Sequence, residues 1–257
     1  MSHSPSHVQF LSLLVAPALV AAAACSTTSS RPADTAASAA AAVSAPAAGT
    51  AGTMAGSPTG ASAMAGSASA VPPAVAAVGT YGENAYDMAK ADNWGAARAA
   101  ADSLKTGAAG LAGLSQSAGQ AGAVTTALAA LDQAIAQHQH ANAMREANHL
   151  TQLGAELERP YHPAVPPEVA LLDYYGRELE IWSAANNPAK LHSTATSMRQ
   201  TWDTLKPQLA AHNGAAVSAR FDSLVTQVGG AKTTADYARL AKPVLDEVDN
   251  LEKAFAH

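Results

Sequence analysis

The sequence predicts an all-α protein in which one helical unit occurs twice. Apolar residues make up 48% of the 257 residues, but alanine dominates that fraction and aromatic residues reach only 5%. Alanine-rich sequence with few β-branched or aromatic residues favours helices. The heptapeptide AVPPAVA at 70–76 recurs, with one change, as AVPPEVA at 164–170. Large apolar residues recur at spacings of three and four, as expected for one face of a helix.

Charge and cysteine content exclude several classes of protein. Charged residues are 14% of the chain, against about 25% in typical globular proteins, and the net charge is −5. Without a basic patch to neutralise phosphates, nucleic-acid binding is not expected. A single cysteine excludes an intrachain disulfide.

The first 24 residues have the pattern of a signal peptide. The apolar run VQFLSLLVAPALVAAAA at 8–24 ends in small residues, as at a cleavage site. Ala22-Ala23-Ala24-Cys25 resembles the lipobox of bacterial lipoproteins, and the resemblance implies that Cys25 is acylated and becomes the new N-terminus. In that class, Ser26 rather than an aspartate after the cysteine favours the outer membrane, on its periplasmic face. Acyl chains on Cys25 would anchor the protein in that membrane.

Residues 25–69 read as a lipidated cysteine followed by a tether. The stretch 26–69 is almost entirely Ser, Thr, Ala, Gly and Pro, with no periodic apolar pattern that would favour ordered structure. A flexible chain of about 45 residues has a root-mean-square reach of about 35–40 Å. The domain that follows could therefore explore a broad zone beside the membrane.

The remaining chain divides into two repeats of equal length. Sliding the sequence by 94 residues without a gap makes 20 of 94 positions identical, including Tyr81-Gly82 with Tyr175-Gly176 and Asn93 with Asn187. We therefore predict a tandem duplication, with repeat one at 70–163 and repeat two at 164–257.

Each repeat is expected to contain four helices. In repeat two, the helices run from Pro166-Pro167 to Asn186-Asn187, from Pro188 to Asn213-Gly214, up to Gly229-Gly230, and through Leu251, with Pro243 bending or restarting the last. The predicted architecture is two four-helix bundles, or one eight-helix array, of up-and-down topology.

Repeat one follows the same plan with smaller residues. It has Ala77, Ala97, Ala108 and Ala127 where repeat two has Leu171, Leu191, Trp202 and Phe221. Alanine contacts allow close helix approach but bury less apolar area. No Gly or Pro interrupts most of 123–159, so the third and fourth helices of repeat one are expected to run on as one.

The stretch AQHQHANAMREANHL at 136–150 is the candidate metal or haem site. It contains His138, His140, Met144 and His149, residue types that bind copper and haem iron. At 100° per residue, His140 and Met144 share a face one turn apart, whereas His138 and His149 are about 16 Å apart along a continuous helix. Copper or haem at these residues is the alternative to a protein without a cofactor. Solvated surface histidines are the simpler interpretation.

Two sets of charged residues are expected to be structural. Arg145 and Glu158 recur as Arg239 and Glu252, which suggests a polar contact present in both repeats. The carboxylates of Asp173 and Glu180 share a helix face with Arg177, and we expect a salt-bridged surface there.

The sequence contains none of the catalytic motifs HExxH, GxSxG or a phosphate-binding glycine loop. The expectation is therefore a non-catalytic, outer-membrane-anchored periplasmic module that binds a ligand or an envelope partner. Its partners would be the membrane, through the lipid anchor, and an envelope protein or peptidoglycan. A periplasmic metal- or haem-binding bundle is the alternative.

Overall fold

The computed structural model describes residues 70–212 and 214–256, and this part of the chain is helical without a strand. The all-α prediction is confirmed. Eight α-helices follow one another: α1 Pro73–Lys90, α2 Trp94–Gly107, α3 Ala118–Ala136, α4 His140–Glu158, α5 Pro167–Ala184, α6 Pro188–Leu205, α7 Ala215–Gly230 and α8 Thr234–Phe255. Short 3-10 segments occupy Ala108–Gly113, Arg159–Tyr161 and Lys206–His212.

The helices begin where local chemistry favours a start. Proline opens α1 and α5, where the missing N–H has no helical partner to lose. Asn93 and Asn187 cap α2 and α6, each side chain accepting a hydrogen bond from the backbone N–H three residues on. Thr233 opens α8 with a capping box.

Three of the four pairs of equivalent helices begin 94 residues apart, while α3 and α7 begin 97 apart. The pairs are Pro73 with Pro167, Trp94 with Pro188, and His140 with Thr234. This spacing is compatible with the tandem duplication predicted from the sequence.

The expected continuous helix over 123–159 is wrong, because the chain turns at 137–139. His138 adopts a left-handed conformation with φ 51°, as Asp92 and Asn186 do in the turns after α1 and α5. The N–H of the next residue, Gln139, donates a hydrogen bond to the carbonyl of Ala134 at 2.8 Å, and this bond caps the C-terminus of α3. Histidine, aspartate and asparagine tolerate positive φ better than most residues, so these turns need no glycine.

Repeat two also differs from expectation in detail. Helix α6 ends at Leu205, and the chain from Lys206 to His212 forms a 3-10 segment. Pro243 lies inside α8, which runs through it as one helix.

Each repeat encloses its own hydrophobic core. Within each repeat, consecutive helices pack together, and the first packs against the fourth, which closes a four-helix bundle. The core of repeat one combines alanines, including Ala97 and Ala101, with seven leucines, whereas repeat two also buries Trp202 and Phe221. Packing of α4 against α5 joins the two bundles into one compact unit.

Glycines let α1 and α4 approach closely. A Cβ on Gly154 would lie 2.5 Å from the backbone nitrogen of Gly79, and one on Gly82 would lie 3.0 Å from the nitrogen of Thr151. In repeat two the position of Gly154 is occupied by Val248, whereas Gly82 corresponds to Gly176, where an added Cβ would lie 2.6 Å from the Leu245 side chain.

Gly154→Ala is expected to lower the free energy of unfolding by about 1–3 kcal/mol, because the new methyl group meets rigid backbone. Gly122→Ala on exposed α3, where nothing lies within 4 Å, is expected to raise it by about 0.5–1 kcal/mol. Chemical denaturation of both variants checks this. Equal effects of the two substitutions would contradict the close packing of α1 on α4.

Candidate functional site

The two bundles meet along α1, α4 and α5. Ile181 of α5 belongs to the core of repeat one, and Trp182 packs against both cores. The buried amide of Asn148 donates to the backbone carbonyl of Tyr174 at 3.1 Å, which fastens α4 to α5. The second repeat therefore packs against the first through both apolar and hydrogen-bonding contacts.

Arg177 lies at the centre of this junction and is buried. Its Nη2 lies 3.0 Å from Oδ2 of Asp173, an ion pair by distance, although the two groups are not aligned as a hydrogen bond. The guanidinium also stacks over the ring of Tyr86, 4.8 Å from its centroid, and reaches the Thr151 hydroxyl at 3.5 Å. One cation thus contacts side chains of α1, α4 and α5.

Tyr86 and Glu180 extend the polar contact between repeats. The Tyr86 hydroxyl donates to Oε2 of Glu180 at 2.7 Å, and Nζ of Lys90 lies 2.6 Å from the same oxygen. Tyr86 and Glu180 are 94 residues apart, so equivalent positions of α1 and α5 touch.

The prediction that Asp173, Arg177 and Glu180 lie on an exposed surface is therefore wrong, although Asp173 and Arg177 do form an ion pair. These side chains share a face, as predicted, but the face is covered by repeat one. The heptad spacing alone could not show that α1 and α4 lie against it.

Burial shifts the pKa of several acids at the junction. It raises the pKa of Glu83 to about 7, with further contributions from nearby carboxylates including Asp173. Burial also raises the pKa of Asp173 to about 6, although Arg177 opposes the shift. The pKa of Tyr86 is far above its usual range, because of burial and then the adjacent Glu180.

A cleft of about 630 Å³ opens where α1 and α5 end and α4 and α8 begin. We call it the end cleft. Met144, Ile181 and Trp182 are the large apolar residues among those that line it. Five alanines leave the space open: Ala141, Ala184, Ala185, Ala235 and Ala238.

The charged residues of the end cleft are Lys90, Arg145 and Glu180, with His140 beside them. Lys90 is paired with Glu180. Arg145 is exposed and donates to the neutral side chain of Asn142 at 2.6 Å. The cleft therefore carries one cation without a paired carboxylate in the described part of the chain.

The His and Met residues predicted as ligands separate into different environments. His138 stacks on Trp94, with ring centroids 4.9 Å apart, while His149 is exposed. His140 and Met144 line the end cleft together, as their spacing predicted. Among the described residues, no three His, Cys, Asp or Glu side chains are grouped as a metal site would require.

The expected contacts of Arg145 with Glu158 and of Arg239 with Glu252 do not form among the described residues. Arg145 bonds Asn142 and Arg239 bonds Asp236, each within its own helix. Thirteen residues of helix span about 20 Å, which is too far for a direct pair.

The two glutamates lie instead at the opposite end of the junction. Glu83, Glu158 and Glu252 line a second cavity of about 440 Å³ between α1, α4, α5 and α8. Burial raises the pKa of both Glu158 and Glu252. This end of the junction therefore has three glutamates and one lysine, Lys253, whereas among the described residues the end cleft has an arginine without a carboxylate partner.

The chain matches no known protein family, no curated protein and no solved structure. Within the described residues, no helix combines the length and the apolar character needed to cross a membrane. Cys25, predicted as the acylation site, and the tether at 26–69 lie outside the described residues.

Glu83→Gln is expected to make the free energy of unfolding less dependent on pH. A folded-state pKa near 7, above the ordinary value of 4.5, means that stability is fully present below pH 4.5 and is lost as pH rises through 7. The variant should gain stability at pH 8 relative to wild type, on the order of 1–3 kcal/mol, and little at pH 4.5.

Urea denaturation between pH 4.5 and 8 measures this, with Asp102→Asn on the exposed face of α2 as the matched control. The same pH slope in Glu83→Gln and wild type would show that Glu83 is not held in its protonated form.

Proposed function

We propose that the protein is a non-catalytic binding module of the bacterial envelope that holds an apolar ligand in the end cleft. The observation that carries the proposal is the cleft itself, a largely apolar space of about 630 Å³ between the two repeats. Small-molecule sites are typically concave, mostly apolar spaces of about 300–1,000 Å³ with a few polar groups.

Residues of both repeats build the end cleft. Lys90 and Met144 come from repeat one, and Ile181, Trp182 and Ala238 from repeat two. A partly exposed tryptophan beside alanines offers a flat apolar wall and room in front of it. Equivalent positions have diverged here, since Met144 faces the cleft from α4 and its counterpart Ala238 from α8.

Filling the cleft should abolish binding without unfolding the protein. Ala238→Phe places a ring in the space, whereas Ala99→Phe adds the same ring to exposed α2. We expect a neutral apolar probe, N-phenyl-1-naphthylamine, to bind wild type and Ala99→Phe with equal affinity, and Ala238→Phe at least tenfold more weakly. Fluorescence titration measures this. Equal binding by all three proteins would show that the probe does not bind in the end cleft.

The proposed location rests on the lipobox-like segment ending at Cys25. Acylation there would tether the bundles to the periplasmic face of the outer membrane, within reach of envelope proteins and peptidoglycan. Metabolic labelling with a palmitate analogue is expected to mark wild type and not Cys25→Ala, and membrane fractionation should place wild type in the outer membrane. Label retained in Cys25→Ala, or wild type released as a soluble protein, would contradict the anchor.

The alternative, a copper or haem protein, is favoured by one observation. His140 and Met144 line the end cleft together, one turn apart on α4. Stoichiometric metal or a Soret band in the purified protein, lost in His140→Ala and Met144→Leu but kept in His149→Ala, would place a cofactor in the same cleft and replace the first proposal.

A further inference from the structure

We infer that the ligand of the end cleft is a single-chain amphiphile with one carboxylate, a fatty acid anion whose head binds Arg145. This inference rests on the proposed function, because it specifies the ligand of the same site. Three features carry it: the apolar lining, the balance of charge, and the difference between equivalent positions of the two repeats.

The lining provides a place for the chain. Trp182 is partly exposed and offers the cleft an apolar wall, and Met144 and Ile181 line the cleft beside it with little accessible surface of their own. A hydrocarbon chain that binds to this surface is removed from water, and the transfer is favourable by about 25 cal/mol for each Å² of apolar area buried.

The balance of charge provides a place for one anionic head. Oxygens of Glu180 lie within 2.7 Å of the Lys90 ammonium, so these two charges neutralise each other. Within the described residues, Arg145 hydrogen-bonds the neutral side-chain amide of Asn142 and has no carboxylate partner. One uncompensated guanidinium beside an apolar cleft is complementary to a monoanion, which a carboxylate can satisfy with two parallel hydrogen bonds.

The other repeat shows what happens when this cation is neutralised. Arg239 is equivalent to Arg145, and Asp236 is equivalent to Asn142. Arg239 is ion-paired with Asp236, whereas the corresponding residue beside the end cleft is an asparagine. The arginine is present in both repeats, and among the residues that the structure describes Arg239 has a carboxylate partner whereas Arg145 has none.

This difference supplies matched variants for the test. Asn142→Asp recreates the pairing of repeat two beside the cleft, and Arg145→Gln removes the cation. Arg239→Gln is the control, since it removes an equally placed arginine outside the end cleft. All three substitutions are on helix surfaces, and circular dichroism verifies folding.

Isothermal titration calorimetry with the full chain carrying Cys25→Ser compares dodecanoate, dodecanol and dodecylamine, each below its solubility limit or critical micelle concentration. We expect dodecanoate to bind at least tenfold more tightly than the other two. Asn142→Asp and Arg145→Gln should each weaken dodecanoate binding by about tenfold and leave dodecanol unchanged, while Arg239→Gln binds as wild type does.

The outcomes separate this inference from the proposed function. Equal affinity for all three amphiphiles, or an Arg239→Gln effect as large as that of Arg145→Gln, overturns the carboxylate assignment while the cleft stays a binding site. Binding that Ala238→Phe does not weaken, or no binding by wild type, overturns both.

Discussion

Burial of Arg177 between the repeats is the constraint on which the rest of the structure depends. Its charge lies against Asp173 on its own helix, Tyr86 of α1 and Thr151 of α4. In the folded protein the guanidinium is shielded from water and relies on these groups together, and removing one partner while the charge stays buried is strongly destabilising. The contact therefore holds α1, α4 and α5 in one arrangement, and that arrangement shapes a cavity at each end of the junction.

The two repeats have the same order of helices but differ in the size of the side chains in their cores. Alanine and glycine bring α1 and α4 close in repeat one, whereas Trp202 and Phe221 fill repeat two. Divergence also separates the candidate site from its counterpart. Met144 is equivalent to Ala238, and Asn142 is equivalent to Asp236. Within the described residues, the α4 side of the end cleft therefore has a large apolar residue and an arginine without a carboxylate partner, and the equivalent positions of α8 have neither.

Local sequence signals predicted much of the fold. Prolines, asparagine caps and apolar spacing marked where helices begin and which faces are buried, because these depend on neighbours within one or two turns. The turn at His138 was missed, since left-handed histidine leaves no composition signal. The burial of Arg177 and the end cleft were also missed, because they arise from contacts between residues as much as 94 positions apart. The shared face of His140 and Met144 was predicted; the cleft beside it was not.

The most direct test asks whether the buried contact makes the two repeats one cooperative unit. Trp94 reports on repeat one and Trp202 on repeat two, and fluorine NMR of protein labelled with fluorotryptophan follows each through urea denaturation. The account predicts one midpoint for both resonances in wild type, and separate midpoints, with Trp94 lost first, in Arg177→Met. Different midpoints in wild type, or coincident and unshifted midpoints in Arg177→Met, would contradict it.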